Sequence, residues 1–243
     1  MRHPDTDRTP PGPEGLDDAV RNPYDPSVGS LPTSPVAEEE LENVTKTGTT
    51  TVGLTTADGV VLATDMRASL GGRFVANKNV QKVEQVHPTA AMTIAGSVGG
   101  AQSFLRSIRA EVNLYEARRG EDMSIPALAT LSGNFMRGGP FFIVNPILGG
   151  VDDDGSHVYS IDPAGGVMDD DYTVTGSGMQ LAYGTLEREY EDGLSTAEAR
   201  TVAARAIDSA MERDTASGDG IFLAEIDAEG VDIQGHKEFA ELL

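Results

Sequence analysis

From Thr49 onward the sequence sorts its secondary structure into blocks: strands, two helices, strands, two helices and a closing pair of strands. Segregated blocks point to an α+β domain rather than to alternating βαβ units. The first block, TTTVGLTTADGVVLATD, is β-branched and apolar and folds back at Asp58-Gly59. Further strands are expected at about 68 to 76 and 90 to 96, the second stopped by Gly96-Ser97. Residues 98 to 119 place Phe104, Leu105, Ile108, Val112 and Tyr115 at three- and four-residue spacing, which is helical, and Gly120 closes the run. Ser124, with Pro126 in the first turn, opens a second helix to about Met136. A β stretch follows: FFIVNPILGGVD, a DDDG turn, SHVYSID, a PAGG turn, then YTVTGSG. Helices are expected at about 177 to 190 and 195 to 214, the latter with a Ser195/Glu198 capping box, and strands near 220 to 227 and 230 to 235. Two sheets packed face to face, each covered outside by a helix pair, would bury every apolar face in this series. The expected architecture is a four-layer αββα sandwich, although element order alone does not fix the layering.

Residues 1 to 48 are different. They hold eight of the 13 prolines and ten acids but one aromatic residue, Tyr24, so they bury too little apolar surface to offset the entropy of ordering. The expectation is a disordered leader over 1 to 48 and a folded domain over 49 to 243.

Charge narrows the setting. The formal net charge is -21, and only four of the 18 basic residues are lysines, Lys46, Lys78, Lys82 and Lys237, while acids are spread along the whole chain. This balance reads as adaptation to high salt, where screening tolerates self-repulsion, the plainer alternative being a generic acidic protein. So acidic a surface repels phosphate backbones, which argues against nucleic acid as a partner. Without cysteine there is no disulfide, thiolate metal site or cysteine nucleophile. No apolar run is long enough to span a membrane and the N-terminus lacks a signal-peptide core, so a cytoplasmic location is expected.

Most catalytic motifs are missing. The four histidines, His3, His87, His157 and His236, never stand four apart as a helix-borne zinc pair would. There is no GxSxG elbow and no Walker loop, Gly176-Ser177-Gly178 lacks the third glycine of a dinucleotide turn, and the DDDG segment fits a hairpin better than a calcium loop. What remains is the junction of Gly48 with Thr49-Thr50-Thr51, where a leader meets a strand. Alone, a threonine triplet is ordinary strand material. Cleavage after Gly48, however, would expose an α-amino group on Thr49, with a reference pKa of about 7.7 to 8.0, suited to act as base near neutrality. That amine can take the proton of its own residue's hydroxyl through a water, and the leader keeps it acylated and inert until then.

Around this junction the sequence resembles the β subunits of archaeal proteasomes. The resemblance starts with TKTGTTTVGLTTADGVVLATDMRAS and continues through NKNVQKV, TIAGSVGGAQ, RAEVNLYEARRGEDMS, YSIDPAGG, TGSGMQLAYG and ERDTASGDGI, covering residues 45 to 235. It implies an N-terminal-nucleophile hydrolase with the αββα sandwich, a leader removed autocatalytically at Gly48-Thr49, and no cofactor. By the same resemblance, Thr49 is the nucleophile, Asp65 its acidic partner, and Lys82 its lysine, allowing one extra residue in the preceding loop. Ser177, Asp214 and Ser217 are supporting residues, and Gly96 supplies oxyanion-hole backbone. Ala68, Val80, Ile94 and Val98 would line the specificity pocket and favour cleavage after hydrophobic residues, a preference that nearby Glu84 puts in question. Implied partners are proteasome α subunits, further β subunits in seven-membered rings stacked inside two α rings, an AAA+ ATPase acting through the α ring, and unfolded polypeptides.

The residues themselves agree with these assignments. A lysine near the Thr49 amine disfavours its protonation, Asp65 would keep Lys82 charged and oriented, and glycine at 96 lets backbone approach an oxyanion. The main rival is a ring subunit folded alike but catalytically silent, in which Gly48-Thr49 stays intact.

Overall fold

The computed structural model describes residues 48–138, 144–238 and Leu242. The expected disorder of the leader, and the opening of the FFIVNP segment, lie outside them. Twelve strands are described: β1 (Thr50–Thr55), β2 (Val60–Asp65), β3 (Ala68–Leu70), β4 (Phe74–Asn77), β5 (Val83–His87), β6 (Ala90–Thr93), β7 (Ile147–Asp152), β8 (Gly155–Ile161), β9 (Val167–Asp169), β10 (Tyr172–Gly176), β11 (Ile221–Asp227) and β12 (Gly230–His236). Four helices accompany them: α1 (Val98–Arg119), α2 (Ile125–Gly138), α3 (Met179–Glu189) and α4 (Thr196–Met211).

The strands form two five-stranded antiparallel sheets, ordered β10-β1-β2-β11-β12 and β5-β6-β7-β8-β9, with β3 and β4 as a separate hairpin. Alternation along the strands divides the buried side chains into three layers. On β2, Val60 and Leu62 face the second sheet, while Val61 and Ala63 face α3 and α4. On β6, Ala91 faces the first sheet, while Ala90 and Met92 meet Phe104, Leu105 and Ile108 of α1. The αββα sandwich follows, and β2 is buried along its whole length because both of its faces are covered. At Gly149 of β7, an added Cβ would lie 2.7 Å from Val60 and 2.9 Å from Leu62 across the gap, so this point of the sheet contact requires glycine's missing side chain.

Helix ends carry the chemistry their sequence suggests. Ser97 caps α1 by accepting from Gly100 N, and Gly120 ends it in the left-handed region at φ 69°. The Ser195/Glu198 capping box of α4 is formed in both directions. At the start of α2, Ile125 N donates to Asp152 Oδ2 at 2.8 Å, so a carboxylate at the end of β7 serves this helix end.

Three expectations need correction. The strand expected at 68 to 76 is the β3–β4 hairpin, bent where Gly71 and Gly72 adopt φ of 60° and 67°. The strand at 90 to 96 stops at Thr93, leaving Ile94 to Gly96 as a connection. Strands β5 and β9 were not expected: VEQVH mixes charge with apolar residues over a register shift, and all three β9 residues are exposed.

Candidate active site

Antiparallel pairing brings the starts of some strands beside the ends of others. In the first sheet the start of β1, the end of β2, the end of β10 and the start of β11 share one edge, with Thr50 opposite Gly176, Thr51 opposite Thr64, and Asp65 opposite Ile221. Thr49 therefore stands beside Asp65 on one side and Ser177 on the other. Lys82, just ahead of β5, reaches in from the second sheet. Val80 N donates to Met66 O and Ile94 N to Lys82 O, so backbone bonds hold this crossing in place.

Asp65 is the hub. Its carboxylate is fully buried and accepts from five donors: Thr49 Oγ1 at 2.6 Å, Lys82 Nζ at 2.7 Å and Thr50 N at 3.0 Å on Oδ1, and Arg67 N and Gly218 N at 2.9 Å each on Oδ2. These contacts replace the water that the buried charge has lost. The Thr49 hydroxyl donates to Asp65 and accepts from Lys82 Nζ. Burial pushes the Lys82 amine below the ordinary lysine value, opposed chiefly by the charge of Asp65.

The opposite side of Thr49 is held by hydroxyls. In the intact chain its nitrogen belongs to the Gly48–Thr49 peptide bond and donates to Ser177 Oγ at 3.1 Å. Ser177 Oγ stands 2.6 Å from Asp214 Oδ2 and 3.2 Å from Thr49 O, and its single proton favours the nearer, charged acceptor. Ser217 Oγ donates to the same Asp214 oxygen at 2.6 Å and is 2.8 Å from Thr50 Oγ1. With the Ser217 proton on Asp214, Thr50 is the donor of that last bond.

A cavity opens beside Thr49. Its wall includes Lys82 and Gly96 together with all four positions expected to be apolar lining, Ala68, Val80, Ile94 and Val98. Gly96 has φ 118° and pairs with Val144 in an isolated antiparallel bridge. Thus Thr49, Lys82, Gly96 and the lining residues meet at the cavity, and Asp65 lies behind Thr49. Ser177, Asp214 and Ser217 form the outer support.

Sequence reasoning missed several contributors. Thr50, Arg67 and Gly218 each supply backbone N–H to Asp65, a donor that no side-chain pattern reveals. The Arg67 side chain also bonds Asp219 Oδ2 at 2.8 Å and Thr215 O at 3.0 Å, bracing the loop that carries Asp214 and Ser217. Asp219, at φ 69°, is the one non-glycine at positive φ among the described residues, and its place in Gly218-Asp219-Gly220 was the available signal of a tight turn.

Comparison with known proteins points to one family. Residues 45–226 match the family described as "Proteasome subunit". Proteasome subunit beta of Natrialba magadii is 73% identical over 222 residues, covering 91% of each chain. Proteasome subunit beta of Natronomonas pharaonis is 66% identical over 243 residues, the full length of both. Proteasome subunit beta 1 of Haloarcula marismortui is 67% identical, covering 96% of this chain and 95% of its own. These relatives come from salt-loving archaea, in accord with the acid-rich, lysine-poor composition. The chain belongs to the proteasome subunit family, in its haloarchaeal β branch.

Proposed function

We propose that the chain is a threonine endopeptidase of the proteasome core particle, made as an inactive precursor. The observation that carries this reading is the buried hydroxyl of Thr49, hydrogen-bonded at once to Asp65 and Lys82 and facing a largely apolar cavity. In the precursor, Thr49 Oγ1 attacks the Gly48 carbonyl carbon, its proton passing to the neutral fraction of the Lys82 amine, which burial enlarges by lowering its pKa. The C–N bond breaks as Thr49 N takes a proton, leaving the leader as an ester on Oγ1. Water hydrolyses that ester and frees the leader and the Thr49 amine.

The mature cycle repeats these steps on a substrate. Thr49 Oγ1 attacks the scissile carbonyl, its proton passing through water to the α-amine, and Gly96 backbone supports the oxyanion. The amine then donates its proton to the leaving nitrogen and activates the water that hydrolyses the ester. Lys82 acts electrostatically on the amine, and Ser177, Asp214 and Ser217 hold it. No metal or organic cofactor takes part. The apolar wall of Ala68, Val80, Ile94 and Val98 favours cleavage after hydrophobic residues. The particle comprises β rings between α rings, and an AAA+ ATPase acting through the α ring delivers unfolded polypeptide in the cytoplasm.

Mass measurement of the β chain in purified particles tests this reading. The expected start is Thr49, with peptidase activity lost in Thr49→Ala. An active particle whose β chain retains its leader overturns it, and a leader retained in an inactive particle favours the silent ring subunit.

A further inference from the structure

The chain carries a net charge of -21, yet the charges around the cavity are all balanced. Three ionisable side chains line its wall, Arg67, Lys82 and Glu84. Each has an opposite partner: Arg67 has Asp219 at 2.8 Å, Lys82 has Asp65 at 2.7 Å, and Glu84 has Arg109 at 2.5 Å. The first two pairs belong to the framework of the site. The third stands apart, because Glu84 is the only carboxylate among the described lining residues and Arg109 is not part of the wall.

Arg109 reaches Glu84 from outside the cavity. It lies on α1, the helix that supplies Val98, Ala101 and Gln102 to the wall, and it sits seven residues beyond Gln102, two turns along the same face. Its NH2 group donates to Glu84 Oε2, and its Nε donates to Gln85 O at 2.7 Å, so one guanidinium fixes both the carboxylate and the strand that bears it. Both side chains are about one-third exposed. The pair is therefore open to screening by salt and to competition from another ion.

We propose that Arg109 is a specificity-determining residue that acts through Glu84, cancelling the acid's charge so that the cavity receives neutral side chains. The inference rests on the reading of Thr49 as nucleophile and of this cavity as the seat for the substrate side chain preceding the cleaved bond. Unpaired, Glu84 would present a free carboxylate to that side chain and attract lysine or arginine. A basic substrate residue meeting the intact pair must instead displace Arg109, which no neutral side chain has to do.

The test compares kcat/KM for fluorogenic peptides ending in leucine, arginine and glutamate, using assembled particles at the lowest salt that keeps them intact. Arg109→Gln is expected to raise the arginine-to-leucine ratio about fivefold, the scale of one partly exposed ion pair. Arg109→Lys, which keeps a cation, should stay near the wild-type ratio, and the Glu84→Gln/Arg109→Gln double variant should return to it. Glu84→Gln alone leaves the guanidinium unpaired and should instead raise the glutamate-to-leucine ratio, which tests the proposal even if Arg109→Gln does not assemble. An active Arg109→Gln particle with an unchanged ratio overturns the assignment, as does an equal rise in the double variant. A processed wild-type particle that cleaves none of the three peptides overturns the peptidase reading, and this assignment with it.

Discussion

Lys82 Nζ lies 2.7 Å from Asp65 Oδ1, and neither side chain is more than 9% exposed. Replacing Lys82 by methionine leaves Asp65 as an uncompensated buried charge, which costs about 3 to 5 kcal/mol. The expected result for Lys82→Met is a precursor that unfolds at markedly lower urea concentration and retains its leader. Urea titration and mass measurement check the two halves separately. A Lys82→Met chain as stable as wild type would show that the pair contributes little.

The lowered pKa of Lys82 gives the proposed autocleavage a pH signature. The amine sits below its ordinary value of 10.5 because burial outweighs the opposing charge of Asp65. Between the folded and unfolded values the unfolded chain binds more protons, so the stability contributed by this group is fully present above 10.5 and is lost as pH falls through the folded value. If the neutral amine is the base for leader removal, the precursor cleavage rate rises with pH to a midpoint below 10.5. Leader release timed across a pH series measures this, and a midpoint at or above 10.5 contradicts it.

The residue ahead of the junction has no room for a side chain. A Cβ on Gly48 would lie 2.1 Å from Ala216 Cβ and 2.8 Å from Ser177 Oγ. In Gly48→Ala the Gly48 carbonyl must shift from the Thr49 hydroxyl, and leader removal is expected to slow about 100-fold, as misplacement of reacting atoms by about 1 Å does. Because the proposed maturation removes the leader, particles that complete processing should have wild-type kcat. A lower kcat after full processing would place the defect elsewhere.

Ser177 is expected to affect the proposed mature enzyme differently. Its hydroxyl links Thr49 N to Asp214, and it does not line the cavity. Ser177→Ala is expected to lower kcat about 10- to 100-fold by loosening the base, with little change in KM. Steady-state kinetics on one good substrate separate these parameters, and a rise in KM alone would argue against a role in holding the amine.

The sandwich was legible where sequence patterns were strong. VVLA in β2 reads as a fully buried strand, and the Phe104/Leu105/Ile108/Val112 stripe of α1 identifies its packed face. Strand β5 was not, because its bulge breaks the two-residue alternation of VEQVH. Within the site, the side chains near Thr49 could be named from the sequence resemblance. The donors that complete Asp65 could not, since every non-proline residue has a backbone N–H and only the fold selects those of Thr50, Arg67 and Gly218. The Glu84–Arg109 pair was equally hidden: its members are 25 positions apart on a strand and a helix whose packing no local pattern specifies.

The five donors to Asp65 come from the start of β1, the turn after β2, the approach to β5 and the loop before β11. No stretch of chain contains them all, so the carboxylate is complete only when both sheets have docked. A nascent or misfolded copy lacks this convergence and, on the proposed mechanism, would keep its N-terminal extension. Under the self-cutting proposed above, release of the extension would act as quality control, recording that a copy has reached its native arrangement.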